Sequence, residues 1–123
     1  IQMSETQNTK RYDLEDRTLK FAKDVRVFIS QLPKTQANLE DGKQVIRSSG
    51  SIGANYIEAN EALSSKDFVI RIKISRKEAK ESAYWLRMID TGKNQALEQE
   101  RQRLVQESRE LTKIFGAILE KSK

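Results

Sequence analysis

The chain has 123 residues, 33% of them charged and 37% hydrophobic, with one proline and five glycines. That is enough for one domain, and the scarcity of breakers points to long helices with one apolar stripe each. It contains no cysteine and no histidine, which excludes disulfides, thiolate chemistry and the commonest general base and metal ligand. The net charge of +5 favours polyanionic partners, although it also lies in the range that keeps a small domain soluble.

Residues 1–10 are polar, lack the basic-then-apolar layout of a signal peptide, and are expected to form a flexible tail ahead of a domain over 11–123. The first helix is predicted from about Tyr12 to Leu32. Leu14, Thr18, Phe21, Ala22, Val25, Phe28, Ile29 and Leu32 recur in steps of three and four and fall on one face. Pro33 ends it. The second is predicted from about Gln36 to Leu63, with a stripe of Leu39, Gly42, Val45, Ile46, Ser49, Gly53, Tyr56, Asn60 and Leu63. Its middle, Ser48 to Ala54, is rich in serine and glycine, which weakens helix propensity, but the register carries across it and a helix is expected.

Ser64 reads as the next N-cap, with Asp67 three residues on. The third helix then runs to about Thr91, where Gly92 and Lys93 supply a stop. Its core positions are Phe68, Ile72, Ser75, Ala79, Ser82, Ala83, Leu86 and Ile89. The fourth helix, about Gln95 to Glu120, has Leu97, Leu104, Ser108, Leu111, Phe115 and Ile118 on its stripe. Short links between long helices force antiparallel neighbours, so the expected fold is all-α, an up-down-up-down four-helix bundle. No run approaches the ~20 apolar residues that cross a bilayer. The absence of cysteine fits a reducing compartment, so a cytoplasmic protein without membrane contact is expected.

Four features bear on function. The Ser48–Ala54 stretch resembles a phosphate loop only superficially: it has no preceding strand and no terminal Lys-Ser/Thr. Close approach of two helices accounts for it better. Two Glu-x-x-Glu pairs, Glu58 with Glu61 and Glu78 with Glu81, cannot make a di-iron site without histidine and read as solvated or ion-paired faces. No catalytic residue, metal ligand or cofactor site is assembled, and a non-enzymatic protein is expected.

Charge is unevenly placed. Between Ser65 and Lys93, eight Lys or Arg oppose four Asp or Glu, whereas between Thr35 and Ser64 two oppose four. On the third helix Lys66, Lys73, Lys77, Lys80 and Arg87 follow helical spacing with Tyr84 among them. Such a line can track a phosphate backbone and stack a base, or be an ordinary wet face. The same helix carries more apolar surface than one core face needs. Ile70, Ile74, Tyr84, Trp85 and Met88 cannot all point inward, and exposed apolar patches mark interfaces, so they are candidates for contact between copies.

The run Arg47, Ser48, Ser49, Gly50, Ser51, Ile52, Gly53, Ala54, Asn55, Tyr56, Ile57, Glu58, Ala59 closely resembles the signature of the bacterial "four helix bundle protein" family. Its members were first noted as products of intervening sequences in 23S ribosomal RNA genes. Flanking pieces agree and occur in order: Tyr12 to Glu15, Phe21 and Ala22, Leu32 to Thr35, Ser65 to Phe68, Lys77 to Ala79, and Tyr84 to Leu86. The resemblance implies an up-down bundle that assembles into a ring, typically a homopentamer. It is similar also to the accessory proteins of diversity-generating retroelements, which bind a reverse transcriptase and nucleic acid. Two functions stand side by side here: an oligomer binding structured RNA such as ribosomal RNA, or a structural scaffold that docks a protein such as a reverse transcriptase.

Overall fold

Local signals divide the chain. The computed structural model describes residues 5–123, with side chains from residue 13 onward. Four helices follow: α1 (Glu5–Ser30), α2 (Gln36–Asn60), α3 (Ser65–Met88) and α4 (Gln95–Lys121). Of the expected tail, residues 1–4 lie outside the described residues, and α1 begins at Glu5 rather than near Tyr12. No glycine or proline stands between those two positions to break it.

Each later helix starts on a side-chain cap. Thr35 Oγ1 accepts the Asn38 N–H at 3.1 Å, Ser64 Oγ accepts that of Asp67 at 3.1 Å, and Asn94 Oδ1 accepts that of Leu97 at 3.0 Å. Each satisfies a donor that the first turn would leave unpaired, worth about 1 kcal/mol. The α3–α4 link turns through Gly92 and Lys93, with φ of 67° and 62°.

α2 is helical throughout, the serine and glycine run included. Its small residues let α3 come close. Ser48 and Ser82 share a hydrogen bond of 2.8 Å, and Ser75 Oγ donates to the Ile52 carbonyl at 2.9 Å. α2 packs most extensively on α3 and α3 on α4; α1 closes the square against α2 and, more lightly, α4, with no diagonal packing. The order is therefore the expected up-down-up-down bundle. Phe21, Phe28, Ile52, Ile72, Leu86, Leu104, Leu111 and Phe115 fill its core. The Tyr56 ring meets Phe115 edge-on at 5.7 Å. None of the described helices is long and apolar enough to cross a membrane.

Three expectations need correction. α2 ends at Asn60, so Leu63 is in the link and wholly exposed. Leu39 is also exposed, because Asn38 takes the inward position of that first turn. α3 ends at Met88, although Ile89 beyond it still reaches the core.

Candidate nucleic-acid interface

The position of the basic groove follows from how α4 divides its charges. Towards α1 its charges are paired across the helix contact. Arg17 of α1 binds Glu107 through Nε at 2.7 Å and Glu110 at 3.2 Å. Arg103 binds Asp24 at 3.0 Å and Glu100 at 2.7 Å. Hydrogen bonding by these carboxylates, chiefly Glu107 for Arg17 and Glu100 for Arg103, pushes both guanidinium pKa values further up. Their cations are thus already engaged. Towards α3, α4 presents Gln102, Gln106, Arg109 and Lys113, in steps of four, three and four.

Across that side α3 supplies its own basic line, and three adjoining depressions run along the resulting groove. The first is lined by Lys73, Arg76, Lys77, Lys80 and Leu119. The second, of about 370 Å³, shares Lys80 and adds Ala83, Tyr84, Arg87, Gln106, Arg109, Thr112 and Lys113. The third shares Arg87, Gln106 and Arg109 and reaches Glu98 and Arg101. The only carboxylate in the three linings is Glu98, which Arg101 holds in an ion pair. Hydrogen bonding from Arg101 keeps the Glu98 carboxyl below the usual range. Among the described residues, Lys73, Arg76, Lys77, Lys80, Arg87, Arg109 and Lys113 form no ion pair.

Four of the five candidate basic residues, Lys73, Lys77, Lys80 and Arg87, therefore line one groove. Lys66 is exposed in the first turn of α3, outside these linings. Arg76, Arg109 and Lys113 were missed on the sequence. The signal for the last two was present: positions 102, 106, 109 and 113 form a helical line without an acid.

The apolar candidates separate. Tyr84 lies in the groove. Ile70, Ile74, Trp85 and Met88 lie nearer α2, on the side where Trp85 Nε1 donates to Glu81 at 3.0 Å. Ile70 and Met88 are exposed, whereas Ile74 and Trp85 are half-buried.

The signature residues are mostly scaffold. Arg47 spans to α3, binding Glu78 at 2.9 Å and Glu81 at 2.6 Å. Hydrogen bonding by Trp85 above all, then by Glu78 and Arg47, holds the Glu81 carboxyl below its ordinary value despite partial burial. Asn55 accepts from Arg71 at 3.1 Å and donates to the Ser51 carbonyl at 2.9 Å. Tyr56 is buried, and Glu58 is exposed, as is Glu61. Gly50 and Gly53, with Ala54 and Ile57, line a groove against α1 on the opposite face of the bundle. No group of acidic side chains suited to a metal ion occurs among the described residues.

A crystal structure of a protein of unknown function from the S23 ribosomal protein family of Bacteroides thetaiotaomicron is similar to this chain. The two share 31% identity over 85% of this chain and 96% of that one, with a TM-score of 0.73. No curated protein matches. The model of the family described as 23S rRNA-intervening sequence protein matches residues 10–117, and the chain belongs to that family.

Proposed function

We propose that this protein is a non-enzymatic oligomer that binds structured RNA along the α3/α4 groove. One observation carries the reading: among the described residues, seven cations free of ion pairs face one another across a groove whose only carboxylate is already paired. Like charges across a helix pair repel and destabilise the fold. α4 avoids that cost on its α1 side, where its charges are paired with opposite charges of α1, and accepts it on its α3 side. A polyanion lying in the groove relieves the repulsion, and its phosphates release counterions on binding. The line from Lys73 to Arg87 covers roughly 21 Å of helix, at 1.5 Å per residue, room for several phosphates. Chemistry has little to work with: the carboxylates of Glu78 and Glu81 are committed to Arg47.

The family's description makes a ribosomal RNA fragment the natural probe. Titrated at several salt concentrations, wild type should bind tightly at low salt and weaken steeply as salt rises. A variant carrying Lys73→Glu, Lys77→Glu and Lys80→Glu should lose most of that affinity and flatten the salt slope, with its helicity intact. Unchanged retention of the RNA by this variant sinks the reading.

Assembly belongs to the same proposal, because Ile70 and Met88 are about half exposed beside the half-buried Ile74 and Trp85. This line also supports the second reading, a scaffold that docks a protein partner such as a reverse transcriptase. Capture of such an enzyme by the triple glutamate variant, but not by a Met88→Glu variant, would favour it.

A further inference from the structure

The middle of the groove differs from its two ends. There Tyr84 stands 56% exposed, an aromatic ring flanked by the cations of the groove. Its orientation is not left free. The ring meets Trp85 edge-on, with centroids 5.2 Å apart and planes at 74°. Trp85 is tied through its indole N–H to Glu81 at 3.0 Å, and Glu81 to Arg47 at 2.6 Å. A relay from α2 thus steadies an exposed ring, while its hydroxyl has no partner among the described residues. The depression beside it, about 370 Å³, is within the ~300–1,000 Å³ of small-ligand sites, and no carboxylate lines it. Lys80 and Arg87 flank it on α3, and Arg109 and Lys113 on α4.

We propose that this depression is a stacking site for an unpaired nucleotide, with Tyr84 under the base and these four cations on the phosphates to either side. The inference rests on the nucleic-acid reading above and narrows its ligand. A continuous duplex keeps its bases stacked inside and offers a groove only phosphates, which would engage the cations and leave Tyr84 unused. Loops, bulges and single strands release bases that can lie on an aromatic face. An oriented aromatic between phosphate-binding side chains suits the second class of ligand.

The test compares three probes with the same number of phosphates: a fully paired RNA duplex, an unstructured RNA strand, and the DNA strand of that second sequence. Affinity is measured together with the emission of Trp85, the one tryptophan of the chain. Wild type should prefer the unpaired RNA roughly tenfold, the scale of one base–aromatic stack, with a change in Trp85 emission that the duplex does not cause. Tyr84→Leu should erase the preference and leave the salt slope unchanged, and Tyr84→Phe should keep it. Equal binding of the DNA strand extends the site to unpaired nucleotides of either sugar; a preference for RNA narrows it to RNA. If duplex and strand bind wild type and Tyr84→Leu alike, with normal salt dependence, the cations alone bind and the stacking site is overturned. If no probe binds at any salt, the nucleic-acid reading fails and the site falls with it.

Discussion

At Gly53 the contact of α1 with α2 leaves no room for a methyl group. A Cβ there would lie 2.7 Å from Thr18 Oγ1 and 3.2 Å from Thr18 Cβ. Thr18 cannot easily yield, being buried with its hydroxyl donating to the carbonyls of Leu14 at 3.0 Å and Glu15 at 2.9 Å. Gly50, one helical turn earlier, is different: its Cβ would meet only Arg26 Nη2 at 3.6 Å, an ordinary contact at the end of a flexible side chain. Gly53→Ala should therefore destabilise by about 1–3 kcal/mol. Gly50→Ala should stabilise by up to ~1 kcal/mol through helix propensity. Urea denaturation of both variants decides the matter, and Thr18→Ala combined with Gly53→Ala should recover part of the loss. Equal effects at the two glycines would mean that the close approach is not what the second one serves. The sequence displays both glycines in one signature, yet their difference was not legible there, because it depends on which residue of α1 stands opposite.

The helices themselves were legible, since their limits are set by local chemistry. Pro33 and Ser64 act on the backbone within a turn of where they stand and mark the end of α1 and the start of α3, whereas the Gly92–Lys93 pair turns the α3–α4 link after α3 has already ended at Met88. Leu39 and Leu63 were misplaced because apolar periodicity gives a face and not a partner. The same gap hid a clamp between the two links at one end of the bundle. Asn38 is buried in the first turn of α2, where its Nδ2 donates to the carbonyls of Pro33 at 3.0 Å and Asp90 at 2.8 Å. Its Oδ1 accepts the Asp90 N–H at 3.0 Å. The side chain thus ties the α1–α2 link to the α3–α4 link, 52 residues apart in sequence. Asn38→Ala leaves these polar groups without that partner and should cost about 1–3 kcal/mol. Asn38→Asp should cost more, since it replaces a donor pair with a carboxylate facing two carbonyls. The denaturation midpoint should fall in the order wild type, alanine, aspartate, with the slope against urea unchanged. An aspartate variant as stable as wild type would show that the donor pair contributes nothing.

At the scale of the whole molecule, the α3 side keeps charge and apolar surface apart: cations without ion pairs among the described residues fill the α3/α4 groove, and an exposed apolar line runs beside it towards α2 through Ile70 and Met88. This separation lets the proposed assembly and the proposed RNA binding be perturbed one at a time. If copies join through the apolar line, each brings its own groove, and an RNA long enough to touch two grooves gains from their linkage. Such a gain reaches about 10²–10⁴ in favourable geometry. Wild type should then run well above the 14.2 kDa of one chain. The pair Ile70→Glu and Met88→Glu changes only exposed positions, so helicity should hold while the mass falls to that of a monomer. In the same variant, affinity for a long RNA should drop tenfold or more, and affinity for an RNA that fills a single groove should stay as it was. A variant that keeps the wild-type mass removes this line from the interface. A monomer that binds long RNA as well as wild type does would show that one groove is enough, and that assembly serves a purpose other than affinity.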